Sequence, residues 1–317
     1  MTSHKTHSGP SASSPTIRLA SRASQLALAQ AEEVAAQLDD AEILTFSTRG
    51  DEVLDRPLAE IGGKGLFVKT LERAMLSGEA DAAVHSGKDM ETQYAEGTTI
   101  AAFLKRADRR DALIGDYSSF DDLPENAIVG TASVRRAAII KSIRPDVTTK
   151  LLRGNVNSRL AQLEAGHYDA IILAMAGMQR LGFTDRIHPI AEDVMLPAAA
   201  QGAIAIQTLA DDGSSKRRDI LAQLSALSHH QTAIEVSAER ALLDQLDGTC
   251  ETPIGASAHY QDGMVKLTAQ LLSLDGGVVF TAVDHAHEDD AEELGRRLAD
   301  QLLADAGGRS FLRQTKH

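Results

Sequence analysis

A chain of 317 residues has length for two or three domains and a sizeable core. Its net charge of −13 argues against unspecific attachment to nucleic acid or to an anionic membrane, and 3% aromatic residues with no Trp leave no stacking platform for bases. A single cysteine excludes an intrachain disulfide and fits a reducing compartment, so a cytoplasmic location is expected.

Residues 1–15 are rich in Ser, Thr and His and lack an apolar run, which predicts a disordered tail and not a signal peptide. Nothing in the chain approaches the length of a membrane span. A short buried strand is predicted over 17–20, followed by the polar stretch Ser21-Arg22-Ala23-Ser24 and a helix carrying Leu26, Ala29 and Leu38. Ser24 is the expected N-cap. Arg22 then lies beside the positive end of a helix, a site for an anion; the alternative is an ordinary capped helix with a surface arginine.

The next strand is expected over 42–48, ending in Thr48-Arg49-Gly50-Asp51. The glycine-rich run Gly62-Gly63-Lys64-Gly65 enters a helix with Phe67, Leu71, Ala74 and Met75. Its spacing fits neither a Walker A loop nor a dinucleotide fingerprint, so it reads as a basic flap or a solvated turn. A strand over 80–84 runs into His85-Ser86-Gly87-Lys88-Asp89, and strand ends are where α/β sheets place catalytic groups. Asp89 beside Lys88 is either a surface pair or a carboxylate serving a cationic intermediate. A strand over 99–104 follows, and 105–111 is charged enough to read as a linker.

A strand over 128–130 precedes a helix opened by Ser133 and running to Ile143. Arg135 and Arg136 in its first turn oppose the helix dipole, which a bound anion would repair. Strands at 149–152 and 170–174 lead into Arg153-Gly154-Asn155 with Arg159, and into a short helix with Arg180. Strand end plus arginine recurs, which argues for one basic cleft that reads carboxylate or phosphate groups. Residues 196–202, with Gln201, look like a crossover before a strand at 203–207, and 211–219 is polar. No Cys/His spacing fits a metal site, so no metal is expected.

A helix with Ile234, Ala238, Ala241 and Leu242 on one face should stop at Gly248. Cys250 follows on a Gly/Pro loop, where Pro253 and Gly255 are expected to keep the backbone irregular. Its thiol is either a reachable nucleophile or a merely tolerated small hydrophobe. A hairpin of 265–271 with 278–283 and a final helix with Leu294, Leu298 and Leu302 complete the chain.

From Ile17 to near its end the chain resembles the porphobilinogen deaminase family. The resemblance rests on Leu19-Ala20-Ser21-Arg22-Ala23-Ser24, Thr48-Arg49-Gly50-Asp51, Gly62-Gly63-Lys64-Gly65-Leu66-Phe67, Val84-His85-Ser86 with Lys88-Asp89, and Gly130-Thr131 with Ser133-Val134-Arg135-Arg136. It continues through Arg153-Gly154-Asn155-Val156, Arg180-Leu181-Gly182, Gln201-Gly202, Glu239-Arg240-Ala241 and Cys250 with Pro253-Ile254-Gly255.

The resemblance implies an α/β fold: two doubly wound lobes like periplasmic binding proteins, plus a small α+β C-terminal domain. The expected division is 16–104 with 199–221, then 105–198, then 222–317. It also implies a monomeric transferase that joins four porphobilinogen units head to tail on a dipyrromethane cofactor, releasing ammonia, and frees hydroxymethylbilane by hydrolysis. Cys250 would hold that cofactor through a thioether. Asp89 would be the catalytic acid that faces the azafulvenium cation. Lys88, Ser133, Arg135, Arg136, Gly154 and Arg159 would bind the cofactor, and Arg22, Ser24, Lys64, Arg153, Arg180 and Gln201 the substrate. The sequence departs from the family at Gly87, Met90-Glu91, Ala132, Ala200 and Thr249; Gly87 is expected to loosen the loop before Lys88. A two-lobed receptor for a small anion is the competing reading, since fold alone does not separate the two.

Overall fold

The computed structural model describes residues 16–47, 68–248 and 252–314. The tail 1–15, the run Thr48 to Asp51, Lys64 with its glycine-rich loop, Thr249 and Cys250 therefore lie outside the described residues.

Two five-stranded sheets are built to one plan. In the first lobe, strands β1 (Ile17–Arg22), β2 (Ala41–Phe46) and β3 (Ala82–Ser86) are parallel, joined by β4 (Thr98–Phe103) and, late in the chain, by β10 (Ile204–Leu209). The order is β2-β1-β3-β10-β4, with β10 antiparallel to both neighbours. In the second lobe, β5 (Asp111–Gly115), β6 (Ile128–Gly130), β7 (Thr148–Lys150), β8 (Ala170–Ala174) and β9 (Ile187–Pro189) take the order β7-β6-β8-β5-β9, with β5 antiparallel to β8 and β9. The antiparallel strand of each lobe is thus the first strand after the chain crosses over. Central strands such as β8 are buried on both faces, and they read as unbroken apolar runs for that reason.

Helices α1 (Gln25–Ala35) and α2 (Lys69–Leu76) belong to the first lobe, α3 (Val134–Ile143), α4 (Val156–Glu164) and α5 (Met175–Arg180) to the second. On α1 the buried face is Ala27, Gln30, Ala31 and Val34, and Leu38, past the helix end, packs on the same core. Small residues let the helix lie close to its sheet, and Leu26 is spent on the other lobe. The polar stretch after β10 forms a further helix, α6 (Ser215–Ser225), capped by the Ser214 side chain.

The third unit packs α7 (His230–Gln245) and α8 (Ala291–Asp305) on a sheet of β11 (Ile254–Gln261), β12 (Met264–Leu272) and β13 (Val279–His287). The residues after Pro253, Gly255 included, are not irregular, since β11 starts at Ile254. The β12–β13 turn is docked on α3. Gly276 has φ +71°, and a Cβ there would lie 2.4 Å from the Ala138 carbonyl oxygen, so only glycine fits.

The charged run 105–111 is no solvated linker. Arg106 donates to both oxygens of Glu239 at 2.8 and 2.9 Å, and Arg109 pairs with Glu235 at 2.6 Å. Glu239, fully buried on α7, also accepts from the backbone N–H groups of Ala200 (2.7 Å) and Ala258 (2.8 Å). One carboxylate therefore ties the crossing segments to the third unit, with each of its lone pairs used, as a buried charge requires.

A second buried polar chain steadies the strand that leads to Asp89. Gln207 on β10 donates to Glu72 and Thr98, each at 2.9 Å, so its oxygen faces His85 and accepts from Nε2 at 3.0 Å. Burial pushes His85 down to about 4. A histidine lowered from 6.5 contributes stability that is present above pH 6.5 and is lost as pH falls toward 4. That loss is about 3 kcal/mol. The urea midpoint is expected to fall over this window, and His85→Gln, although less stable at pH 7, to lose much less of its stability there. Equal pH slopes for the two proteins would contradict the assignment.

Candidate active site

The carboxyl ends of β1, β3, β6 and β8 all carry residues singled out above. After β3 the chain makes one 3₁₀ turn, Gly87–Asp89. This turn is held tightly: the Gly87 N–H donates to the Ala203 carbonyl at 2.9 Å. A Cβ at Gly87 would lie 3.1 Å from the Ala200 Cβ. Gly87 is buried and does not loosen the loop; its missing side chain makes room for the methyl group of Ala200. Ala200 pays for that place with φ +57°, the left-handed region that glycine prefers. The two departures are a compensating pair.

Lys88 Nζ donates to Gln201 Oε1 at 3.2 Å. Burial lowers the lysine to about 8, helped by repulsion from Arg136 and resisted by Asp89 and Asp111. Gln201 is fully buried and donates in turn to the Arg109 carbonyl (2.8 Å) and to Asp111 Oδ1 (2.7 Å). It links the lysine of one lobe to the carboxylate of the other.

Asp111, at the start of β5, answers the two arginines on α3. Ser133 caps that helix by accepting from the Arg136 N–H. Asp111 accepts from Arg135 Nη2 at 2.7 Å and from Arg136 Nη2 at 2.7 Å and Nε at 3.1 Å. Arg135 also donates to the Leu196 carbonyl at 2.5 Å, and Arg136 to that of Ile172 at 3.0 Å. Burial would raise the Asp111 carboxyl, but the two guanidinium groups override it and hold it well below the usual range. The anion that repairs the helix start is therefore internal. Arg135, 3% exposed, still keeps one buried donor, Nε, without a partner.

Beyond β7, Gly154 has φ +112°, and a Cβ there would strike Ser158 Oγ at 2.1 Å. The Asn155 side chain caps α4, and Arg159 Nε donates to the Gly154 carbonyl at 2.8 Å. Arg159 is lowered to about 10 by burial and by the positive charges of Arg136 and Arg153, with Asp89 opposing. Asp89 is thus the anion that offsets both Lys88 and Arg159, from the first lobe toward the second. Arg22 ends β1 and adds its field at His85, and Ser24 caps α1 by accepting from the Ala27 N–H. Arg180 spans the lobes, donating to Glu33 Oε2 at 3.0 Å and to the Gly202 carbonyl at 3.1 Å.

The third unit reaches this region from two sides. Arg240 on α7 donates to the Glu91 carbonyl at 2.6 Å and stands 5.0 Å from the Tyr94 ring centre, bracing the segment just past Asp89. The Ala256 N–H donates to the Pro197 carbonyl at 2.9 Å, which joins β11 to the crossover that ends in Gln201. Cys250 belongs to the connection between α7 and β11, outside the described residues. Lys64 likewise lies outside them.

Sequence reasoning missed Asp111, Glu33 and the linking role of Gln201. Nothing local marks Asp111, which closes a charged run; only the unexplained pair of arginines at a helix start hinted that a carboxylate had to be supplied. Among the described residues no group of three or more His, Cys, Asp or Glu is arranged to hold a metal, and no helix is long and apolar enough to cross a membrane.

Two family models match the chain: "Porphobilinogen deaminase, dipyromethane cofactor binding domain" over residues 17–217 and "Porphobilinogen deaminase, C-terminal domain" over residues 233–304. Among solved structures, the chain is similar to the VFT2 domain of Bordetella pertussis BvgS (14% identity, 69% of this chain and 90% of that one, TM-score 0.39). It is also similar to the second substrate binding domain of a putative amino acid ABC transporter from Streptococcus pneumoniae (13% identity, 67% and 93%, TM-score 0.41).

Proposed function

The chain belongs to the porphobilinogen deaminase family, and from that premise we propose that Asp89 is the acid on which its reaction turns, with Cys250 as the anchor of its dipyrromethane cofactor. The family's reaction is the stepwise head-to-tail condensation of four porphobilinogen molecules, with loss of ammonia at each step and final hydrolysis to hydroxymethylbilane. One observation carries the assignment of Asp89: it is the carboxylate at the end of β3 that offsets cations from both lobes.

The donor set fits a polycarboxylate pyrrole. Lys88 and Arg159 are both lowered first by burial and then by the positive charge of Arg136, and Arg135 Nε is a buried donor lacking an acceptor. In this reading Lys88, Ser133, Arg135, Arg136, Arg159 and the Gly154 backbone hold the cofactor, which when bound supplies the pyrrole that the first unit joins. Arg22, Ser24, Arg153, Arg180, Gln201 and Lys64 serve the incoming substrate. Arg135 and Arg136 on the cofactor side and Gln201 on the substrate side act largely by positioning, since Asp111 already engages all three.

At each condensation the aminomethyl C–N bond of porphobilinogen breaks and its electron pair leaves with nitrogen. A C–C bond forms, and the proton given up by the attacked pyrrole carbon balances the departing ammonia. Asp89 accepts from pyrrole N–H and faces the positive charge left on the ring. A charge pair 4 Å apart gives about 4 kcal/mol at an effective dielectric of 20. Realised mainly in the transition state, that is about a thousandfold in rate. A soft thiolate at Cys250 suits the anchor, because a thioether resists hydrolysis. A monomer in the cytoplasm, divided at 16–104 with 199–221, 105–198 and 222–317, completes the proposal.

Intact mass spectrometry tests it. The purified protein is expected to carry the added mass of a dipyrromethane, to gain successive porphobilinogen units on incubation, and as Cys250→Ser to show the bare chain mass. A bare wild-type chain that stays bare with substrate would favour the two-lobed receptor instead; a cofactor retained in Cys250→Ser would refute the anchor.

A further inference from the structure

The first helix of one lobe lies along the second lobe through three of its residues. The Gln25 side chain accepts from Asn157 at the start of α4, and the Leu26 side chain comes within 3.5 Å of where a Cβ on Gly177 would stand. Two turns on, Glu33 accepts from Arg180 Nε at 3.0 Å. The side chain of Arg180 is 9% exposed, whereas that of Glu33 is 39% exposed. The other contact of Arg180 is the carbonyl of Gly202, whose own position is fixed: φ is +89°, and a Cβ would lie 2.7 Å from the Ala107 carbonyl oxygen.

We propose that Glu33 is an internal stand-in for the substrate's carboxylate: it occupies Arg180 between arrivals and so sets how tightly the enzyme holds porphobilinogen. This rests on the reading of Arg180 as a substrate-binding residue. The exchange is easy for physical reasons. Arg180 trades one charge-assisted carboxylate bond for another of the same kind, so little is lost at the guanidinium. Glu33 is released toward solvent that it already partly faces, which keeps its own cost low. The buried partner stays in place while the exposed one leaves. Glu33 also neutralises Arg180 when no substrate is there, which spares a nearly buried cation from standing unpaired. The effect on catalysis is confined to capture, since Glu33 contacts Arg180 and not the Asp89 turn.

The test is steady-state kinetics of the cofactor-loaded enzyme. Glu33→Gln removes the competing charge and is expected to lower KM for porphobilinogen about threefold to tenfold, with kcat within about twofold of wild type. Glu33→Asp, which keeps the charge, is expected to return KM toward wild type, and Arg180→Gln to raise KM. In the double variant the Glu33→Gln effect is expected to vanish, because there is no arginine left to compete for. An unchanged or raised KM in Glu33→Gln, with KM still raised in Arg180→Gln, would overturn the stand-in role and leave Arg180 as a substrate ligand. An unchanged KM in Arg180→Gln would remove both together. A merely structural contact would lower stability and kcat without lowering KM.

Discussion

Asp89→Ala is expected to lose at least about a thousandfold in turnover while keeping its fold and melting temperature. The residue is half-buried at the end of a turn, and the turn is held by backbone and neighbouring contacts in which the Asp89 carboxylate takes no part. Lys88 keeps its bond to Gln201, and Gly87 keeps its bond to Ala203. What disappears is the anion that offsets Arg159 and, together with Asp111, Lys88. Those cations would then hold carboxylate groups at least as well as before, so substrate binding should persist while ammonia release stops. Quenched-flow measurement of ammonia release, beside circular dichroism of the same sample, separates the two effects. Release at the wild-type rate would refute the role of Asp89, and a lost fold would show it to be structural.

Asp111→Asn is expected to be the most damaging single change to stability. The substitution keeps the shape and removes the charge. Arg135 and Arg136 would then stand buried in the second lobe without a counter-ion, and Gln201 would lose the acceptor that fixes its orientation. Breaking a buried pair from one side costs about 3–5 kcal/mol. For a chain of this size that is a melting point about 5–8 °C lower. Activity should fall as well, since the lysine beside Asp89 is oriented through Gln201. The Asp111 carboxyl titrates far below the usual range, so its contribution is constant across the neutral region and is lost only in strong acid. The softer acid limb between pH 6.5 and 4 belongs to His85. A melting point within about 2 °C of wild type would show that water or relaxation replaces the carboxylate, and that Asp111 is not the keystone of this cluster.

The family resemblance and much of the local structure were legible before any coordinates. Ser24 caps the helix it was expected to cap, a helix opens at Ser133 as expected, and the apolar runs at 128–130 and 170–174 form β6 and β8. The helix and hairpin of the third unit also stand where periodicity placed them. Other expectations failed where tertiary contacts override local pattern. On α1 it is Ala27, Ala31 and Val34 that are buried, while Leu26 reaches across to the second lobe. The run 105–111 has the composition of a solvated linker, yet Arg106 and Arg109 are buried against Glu239 and Glu235 from more than a hundred residues away. Gly87 looked permissive alone and proves to be the partner of Ala200.

The sequence by itself determined the lone thiol, the acid that follows the third strand, and the arginines at successive helix starts. Such features depend on composition and on neighbours three or four positions away, which a linear reading can see. Only the tertiary structure decided which arginines are already matched. Asp111 with Arg135 and Arg136, Glu239 with Arg106, and Glu33 with Arg180 are pairs made across strands, crossovers and lobes. The reason is electrostatic: a guanidinium carries the same charge in every context, and whether it is spent on the fold or kept for a ligand depends on which carboxylate folding brings within 3 Å of it.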